Sequence, residues 1–90
     1  EVDLHAHELL DTTAGLTPNE IKDYQLGVFR KTMDEHLKEK GRRIVFIHGK
    51  GEGVLRNALI TELKHKYKSC TWQDASFQQY GFGATMVIIH

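Results

Sequence analysis

Two short apolar runs constrain the fold of this chain more than any other feature. Residues 44–47 and 84–89 are apolar at almost every position, so neither run has a polar face to turn toward water. Apolar runs of about four to eight residues are typical of strands that lie inside a sheet with a neighbour on each side. The two runs therefore predict the central strands of a sheet that helices cover.

A strong helix-start signal lies before the first of these runs. Thr17, Pro18 and Glu20 predict the start, because threonine caps, proline suits the first helical position and the glutamate completes a capping box. The helix is predicted to reach about Lys40 and to end at Gly41. Its apolar stripe at helical spacing, which should face the sheet, consists of residues 26, 29, 33 and 37.

A second helix and two weaker strands complete the pattern. Residues 1–7 alternate between apolar and polar side chains, which predicts a half-exposed strand, and residues 71–77 form a weaker, polar strand. The second helix is predicted from about Val54 to Lys68. The order β-α-β-α-β-β predicts a mixed four-stranded sheet of spatial order 1-2-4-3, because helices join parallel strands and the last connection is too short for a helix crossover. The predicted fold class is α/β, a two-layer α/β sandwich with the helices mainly on one face.

Length and composition narrow the class of protein. The 90 residues predict a single domain, 1–90, and because the chain starts at Glu1 we interpret it as a domain cut from a longer protein whose remaining part is an expected partner. No apolar run approaches the roughly 20 residues of a membrane helix, so no membrane partner is expected. A single cysteine, Cys70, excludes an internal disulfide and a multi-cysteine zinc site and fits a reducing, cytoplasmic compartment.

Charge is balanced over the whole chain but not along it. Twelve basic and twelve acidic residues give a net charge of zero, which excludes a generally basic nucleic-acid-binding tail. Residues 38–68 nevertheless hold nine basic side chains against three acidic ones, a formal charge of +6. Such a segment predicts a basic face that attracts phosphate groups. The alternative is that lysines near helix ends are solvated and only complement the helix dipoles.

A glycine-rich segment, His48-Gly49-Lys50-Gly51-Glu52-Gly53, follows the first apolar run. Its glycines let backbone N–H groups converge at the start of the next helix, where the helix dipole favours anions. The segment lacks the Walker pattern, and the alternative is a strand-to-helix turn whose glycines only permit positive φ. The candidate phosphate-binding residues are Gly49, Lys50, Gly51, Gly53 and Arg56.

Histidines are predicted at the same edge of the sheet. If the first two strands are parallel, His5 and His48 lie near their carboxyl ends, where open α/β sheets usually bind ligands. Two histidines suit acid–base cleavage of a phosphodiester, since one removes a proton and the other donates one, and Asp3 can orient His5. The candidate catalytic residues are therefore Asp3, His5 and His48. His5 and His7 share a strand face and form a weaker candidate metal site.

Three motifs in this order resemble the Smr (small MutS-related) domain. They are Val-Asp-Leu-His at residues 2–5, Ile-His-Gly-Lys-Gly-Glu-Gly-Val-Leu-Arg at residues 47–56, and Gly-Phe-Gly-Ala-Thr-Met-Val at residues 81–87. The middle motif is the most specific, and the resemblance covers essentially the whole chain. The chain looks most like the carboxyl-terminal Smr domain of a bacterial protein family of unknown function.

The resemblance implies a fold like that of the carboxyl-terminal domain of translation initiation factor three. It also implies a domain that binds RNA or DNA, in MutS-type proteins or ribosome-associated nucleases. Several family members are endonucleases that nick DNA or cleave RNA, for which Mg²⁺ or Mn²⁺ is a candidate cofactor. The family's Asp-Leu-His-Gly motif falls on residues 3–6, its His-Gly-Lys-Gly motif on residues 48–51 and its Gly-Ala-Thr motif on residues 83–85.

One residue departs from the family pattern. Ala6 stands where the family usually has glycine, and a methyl group there is expected to crowd a phosphate or to change the backbone conformation. Binding would then survive while cleavage is lost. The alternative prediction is therefore a non-catalytic protein-interaction or assembly module that retains the Smr fold.

Overall fold

A computed structural model describes residues 1–49, 53–81 and 83–90. Lys50, Gly51 and Phe82 therefore lie outside the described residues. No helix in the described part of the chain is long and apolar enough to cross a membrane. The elements in chain order are β1 (Val2–Asp3), α1 (Ala6–Leu9), α2 (Pro18–His36), β2 (Arg43–Ile47), α3 (Val54–Lys66), β3 (Cys70–Asp74), α4 (Phe77–Tyr80) and β4 (Ala84–Ile89).

The four strands form one mixed sheet in the order β1-β2-β4-β3, which confirms the predicted order 1-2-4-3. β1 is parallel to β2, and β4 is antiparallel to both β2 and β3. The two apolar runs are the central strands β2 and β4, paired over their whole length from Arg43 with Ile88 to Ile47 with Ala84. The predicted α/β sandwich is therefore confirmed.

The core lies between the sheet and the long helices α2 and α3. Phe46 of β2 is fully buried and meets Phe29 of α2 edge-on, with ring centroids 4.8 Å apart. Phe29 also meets Tyr67, which follows α3, at 6.0 Å. Burial alternates along β2, because Phe46 is buried whereas Val45 and Ile47 keep partial exposure. The apolar character of β2 therefore reflects its central place in the sheet, with the helices covering one face.

Element ends differ from the predicted ones, chiefly at the amino terminus. The predicted strand 1–7 ends at Asp3, because the Asp3 carboxylate accepts a hydrogen bond from the backbone N–H of His5 at 2.9 Å and turns the chain into α1. Helix α2 begins at the predicted capping box. It ends at His36 instead of near Lys40, and turns then bring Gly41 to β4. The predicted strand 71–77 is instead β3 followed by α4.

We expect the stripe of α2 to separate into buried and solvated positions. Met33 is fully buried, whereas Leu37, just past the helix end, is 36% exposed. Met33→Ala should lower the free energy of unfolding by about 2–5 kcal/mol, the range for buried large-to-alanine changes. Leu37→Ala, the matched control, should lower it by less than about 1 kcal/mol. Urea unfolding measures both values, and equal losses would contradict the position of the helix end.

Candidate active site

The carboxyl ends of β1 and β2 lie side by side and form one edge of the sheet. The parallel pairing places Asp3 opposite Ile47, and the backbone N–H of Leu4 donates to the carbonyl of Ile47 at 2.8 Å. Leu4 is fully buried and anchors the segment that follows. The fold therefore brings the Asp3–His5 segment to the start of the glycine-rich segment, as the sequence predicted.

Asp3 and His5 form a hydrogen-bonded pair at this edge. Oδ1 of Asp3 lies 2.8 Å from Nδ1 of His5 and also accepts the backbone N–H of His5. Burial raises the pKa of Asp3, but the hydrogen bonds from the His5 backbone and ring outweigh it, so the pKa lies below its usual value. An ionised Asp3 accepts a hydrogen bond from Nδ1–H of the neutral ring, so that the lone pair of Nε2 is available as a base.

Gly49 lies directly against the ring of His5. Its φ is +84°, and a Cβ built there would approach Nε2 of His5 to 2.8 Å. A side chain at this position would therefore meet two penalties, a left-handed backbone and a clash with the ring. The absence of a side chain at Gly49 allows His5 to rest on the backbone that follows β2.

Gly83, at the start of β4, holds Gly49 from the other side. The Gly83 carbonyl accepts hydrogen bonds from the N–H groups of His48 at 2.9 Å and Gly49 at 3.0 Å. A Cβ on Gly83 would lie 3.4 Å from the carbonyl carbon of Gly49 and 3.3 Å from the carbonyl oxygen of Tyr80. A Cβ at Gly83 would therefore fit only if the backbone of Tyr80 moved by a few tenths of an ångström.

His48 lies behind this edge and is only 7% exposed. Nδ1 lies 2.9 Å from the carbonyl oxygen of Gly49, which can only accept, so Nδ1 carries the proton. Nε2 of the neutral ring then accepts from the hydroxyl of Thr85, also at 2.9 Å. Burial lowers the pKa of His48; the Gly49 carbonyl partly offsets this shift, and the positive charge of Arg56 adds to it. The fold therefore favours a neutral ring whose two nitrogens both have partners inside the protein.

Arg56 supplies positive charge next to the glycine-rich segment. It lies in the first turn of α3, and its guanidinium donates to the carboxylate of Asp74 at the end of β3, at 3.0 Å. Gly53 is the N-cap of α3 and has a φ of +80°, a left-handed conformation that glycine adopts without strain. An exposed ion pair of this kind contributes little to stability and leaves the arginine able to contact an anion.

The predicted site residues thus divide into three groups. Asp3, His5 and Gly49 meet at one point, with His48 behind them, and Gly53 and Arg56 lie at the start of α3. Lys50 and Gly51 lie outside the described residues, so their predicted roles stay predictions.

His7 lies on the short helix α1 instead of on the predicted strand. Its exposed ring stacks on that of His5, with centroids 5.2 Å apart. The described residues contain no group of three or more His, Cys, Asp or Glu side chains arranged to hold a metal ion. Beside His7 lies an open cleft of about 470 Å³, lined by Ala6, His7, Leu10, Asp11, Thr12 and Thr13.

Sequence reasoning did not place Gly83, Thr85 and Asp74 in the site. All three come from strands far along the chain, and they reach the site because β4 pairs with β2 and β3 pairs with β4. Residues 83–85 were identified as a family motif but received no role. The signal that points to the role is the position of this motif at the start of β4, opposite the end of β2.

The model of the Smr domain family matches residues 15–90 of the chain. The matched stretch contains α2 and α3, strands β2, β3 and β4, the glycine-rich segment and Arg56. It begins after Asp3 and His5, which are joined to the matched part by the pairing of β1 with β2. A search of curated proteins finds no match.

We expect Gly49→Ala to displace His5 without unusual loss of stability. Gly41→Ala is the matched control, because the φ of Gly41 is +88° and a Cβ there would have nothing within 4 Å. Both variants should lose about 1–2 kcal/mol of stability from the left-handed backbone. The His5 ring can rotate away from the new methyl group, so only Gly49→Ala should move the NMR signals of His5. Unchanged His5 signals in that variant would contradict the packing described above.

The buried His48 predicts a loss of stability in mild acid. Its pKa is lowered from 6.5 in the fold, so below that pH the unfolded chain binds a proton that the folded chain resists. The free energy of unfolding should fall as the pH drops below about 6.5, by at most about 1.4 kcal/mol per pH unit from this group. In His48→Asn, the side-chain amide replaces the ring N–H as a hydrogen-bond donor but does not titrate. The stability of this variant should therefore depend less steeply on pH. The control, His65→Asn, replaces an exposed histidine of α3 and should retain the original slope in urea unfolding at several pH values; equal slopes in all three proteins would contradict this role.

Proposed function

Because the chain belongs to the Smr domain family, a family of nucleic-acid-binding domains, we propose that it binds nucleic acid at the β1–β2 edge and cleaves phosphodiester bonds there. The observation that supports cleavage best is the Asp3–His5 pair, joined at 2.8 Å with Nε2 of His5 turned to the backbone of Gly49. A carboxylate that orients a histidine is a recurrent arrangement for a general base. A cytoplasmic location and an association with ribosomes belong to the same proposal.

We assign His5 the role of the base. In RNA, Nε2 of neutral His5 removes the proton of a 2′-hydroxyl, and the resulting oxygen attacks the adjacent phosphorus. The bond from phosphorus to the 5′-oxygen breaks, the leaving oxygen takes a proton from solvent, and a cyclic phosphate remains. RNA is favoured over DNA because this route needs only a base and a stabilised phosphate. The described residues do not form a group that fits resident Mg²⁺ or Mn²⁺, so no step is assigned to a metal ion.

His48 has a different role in this proposal from the one its sequence position indicates. Both ring nitrogens are occupied, by the Gly49 carbonyl and the Thr85 hydroxyl, and burial favours the neutral ring. We therefore assign His48 as a positioning residue that holds Gly49 beneath His5. Arg56 is always protonated, and we assign it the role of stabilising the negative charge that builds up on the phosphate during attack.

The second candidate function is a non-catalytic interaction module, and Ala6 is the observation that favours it. Ala6 is the first residue of α1, and its methyl group lines the cleft beside His7. No non-glycine residue in the described part of the chain has a positive φ, so the alanine does not strain the backbone. Its effect on a substrate is therefore steric, through the width of the cleft.

Cleavage of end-labelled RNA tests the proposal. The parent chain should cleave single-stranded RNA in the presence of EDTA and leave DNA of the same sequence intact. His5→Ala should lower the rate by about 10²–10⁴-fold, the usual contribution of a general base. Asp3→Asn should also lower it strongly, since the ring loses its orienting charge. His65→Ala is the control, because this exposed histidine lies on α3.

Ala6→Gly separates the two candidate functions. If the parent chain is inactive but binds RNA, and Ala6→Gly cleaves RNA in a reaction that His5→Ala abolishes, the methyl group has silenced an enzyme. If both chains bind RNA and neither cleaves RNA or DNA with EDTA or with Mn²⁺, the chain is a non-catalytic RNA-binding domain. If neither chain binds or cleaves RNA or DNA, the interaction module is the correct function. Equal cleavage by the parent chain and by His5→Ala would identify a contaminating nuclease.

A further inference from the structure

The sheet has a second edge, opposite the candidate active site, where β2 and β3 begin and β4 ends. Gly41 donates its backbone N–H to the carbonyl of Ile89 at 2.6 Å, and Thr71 is hydrogen-bonded to His90 at 2.8 Å. Helices α2 and α3 both end there, because each precedes a strand that starts at this edge. The segments 38–43 and 64–68 therefore lie at one end of the molecule.

These two segments carry most of the positive charge of the chain. They hold seven basic side chains against a single acidic one, Glu39, which is a formal charge of +6. All seven are exposed, and we call this surface the basic edge. Its basic residues are Lys38, Lys40, Arg42, Arg43, Lys64, Lys66 and Lys68.

Ion pairs and helix dipoles neutralise only part of this charge. Arg42 pairs with Glu39 at 3.1 Å and Lys66 with Glu62 at 3.4 Å. Glu62 is also hydrogen-bonded to Arg30. The carboxyl ends of α2 and α3 add roughly −0.5 charge each. A dipole contribution of about one charge does not account for six.

The candidate active site has the opposite charge. The described residues of segments 3–20, 47–56 and 74–84 include five acidic side chains and one basic one, a formal charge of −4. The basic residue is Arg56, which already pairs with Asp74. The sequence places nine basic residues in one segment, and the fold sends seven of them to the other end of the sheet. Electrostatic attraction of a polyanion to this chain must therefore come mainly from the basic edge.

We propose that the basic edge is a second nucleic-acid-binding surface, which holds the phosphate backbone of a strand whose scissile bond lies at His5. This inference rests on the proposed function and adds to it where the binding energy comes from. The aromatic residues described near this edge, Tyr67 and Trp72, pack into or against the core. The contacts are therefore with phosphates, so binding here is independent of base sequence and strongly dependent on salt.

The distance between the two edges predicts a dependence on substrate length. Helix α3 runs from one edge to the other with 13 residues, which at about 1.5 Å per residue is about 20 Å. A stacked strand of about six nucleotides spans this distance at about 3.4 Å per nucleotide. An RNA of about 4 nucleotides reaches only one edge, whereas an RNA of about 20 nucleotides reaches both.

The test compares two pairs of substitutions that change the net charge equally. Lys40→Gln/Lys68→Gln removes two charges from the basic edge. Lys22→Gln/Lys31→Gln removes two from α2 outside it. Binding of the 90-residue chain to single-stranded RNA of both lengths and to duplex DNA is measured at several salt concentrations by fluorescence anisotropy.

The basic-edge pair should weaken binding of the long RNA and lower the salt slope by about 1.4, since each lost contact contributes about 0.7 with single strands. Between about 50 and 200 mM salt, the parent chain should then lose about sevenfold more affinity than this variant. The control pair should retain the slope of the parent chain. Neither pair should change cleavage or binding of the short RNA.

Other results would overturn the proposal. If the basic-edge pair binds the long RNA with the salt slope of the parent chain, the basic edge is refuted and the proposed function stays intact. An equal loss of affinity with the control pair would have the same meaning. An absence of binding by the parent chain to RNA and to duplex DNA would refute both. Phosphatidylserine vesicles are the third probe. If the basic-edge pair loses binding to these vesicles but not to RNA, the edge contacts membranes.

Discussion

The packing of the His5 ring and of the Gly83 backbone against Gly49 is the constraint on which the candidate site depends. His5 rests on one side of this glycine, and Gly83 holds it from the other through hydrogen bonds to two successive N–H groups. Each partner comes from a different strand or its continuation, so the site forms only when β1, β2 and β4 are paired. Small changes in the sheet would therefore reach His5 directly, because no flexible side chain lies between them.

His48 shows that the fold can give a histidine of a sequence motif a role different from the one that the motif indicates. Its ring lies in the wall behind the site, where a backbone carbonyl selects one tautomer and a threonine hydroxyl occupies the remaining nitrogen. Burial disfavours the charged form of His48, and the guanidinium of Arg56 adds to this effect, so a positive charge on this ring would be poorly tolerated. His5 has the opposite environment, since it is half-exposed and an ionised carboxylate holds its Nδ1. Two histidines that look equivalent in the sequence thus have different chemical capacities.

The separation of charge between the two edges links the fold to the proposed activity. The base at His5 benefits from a nearby carboxylate, and carboxylates repel the phosphates of a substrate. Placing most basic residues about 20 Å away lets the protein attract a polyanion without neutralising Asp3. In the proposed function, a longer strand contacts the basic edge and the candidate site at once, and affinity and cleavage are assigned to different residues.

The sequence by itself determined the four strands, the two long helices and the order of these six elements. The patterns that predict them depend on local spacing, which can be recognised directly from neighbouring positions in the sequence. These patterns are the apolar runs at 44–47 and 84–89, the capping box at Thr17 and the helical stripes. The order 1-2-4-3 also followed, because crossover connections and the short last connection leave few topologies. The proximity of the Asp3–His5 segment and Gly49 could also be predicted, because the carboxyl ends of neighbouring parallel strands lie at the same edge of a sheet.

Only the tertiary structure decided what depends on distance between remote residues. The strand at the amino terminus ended early because the Asp3 side chain bonded to the backbone, a competition that alternation of polar and apolar residues does not reveal. The hydrogen-bond partner of His48 Nε2 is Thr85, which lies 37 positions later in the sequence. The single basic segment 38–68 is divided between the two edges, because β2 and α3 each run from one edge to the other. Spacing along the chain specifies which side chains share a face, but burial and charge depend on which strands pair, and that is a property of the whole sheet.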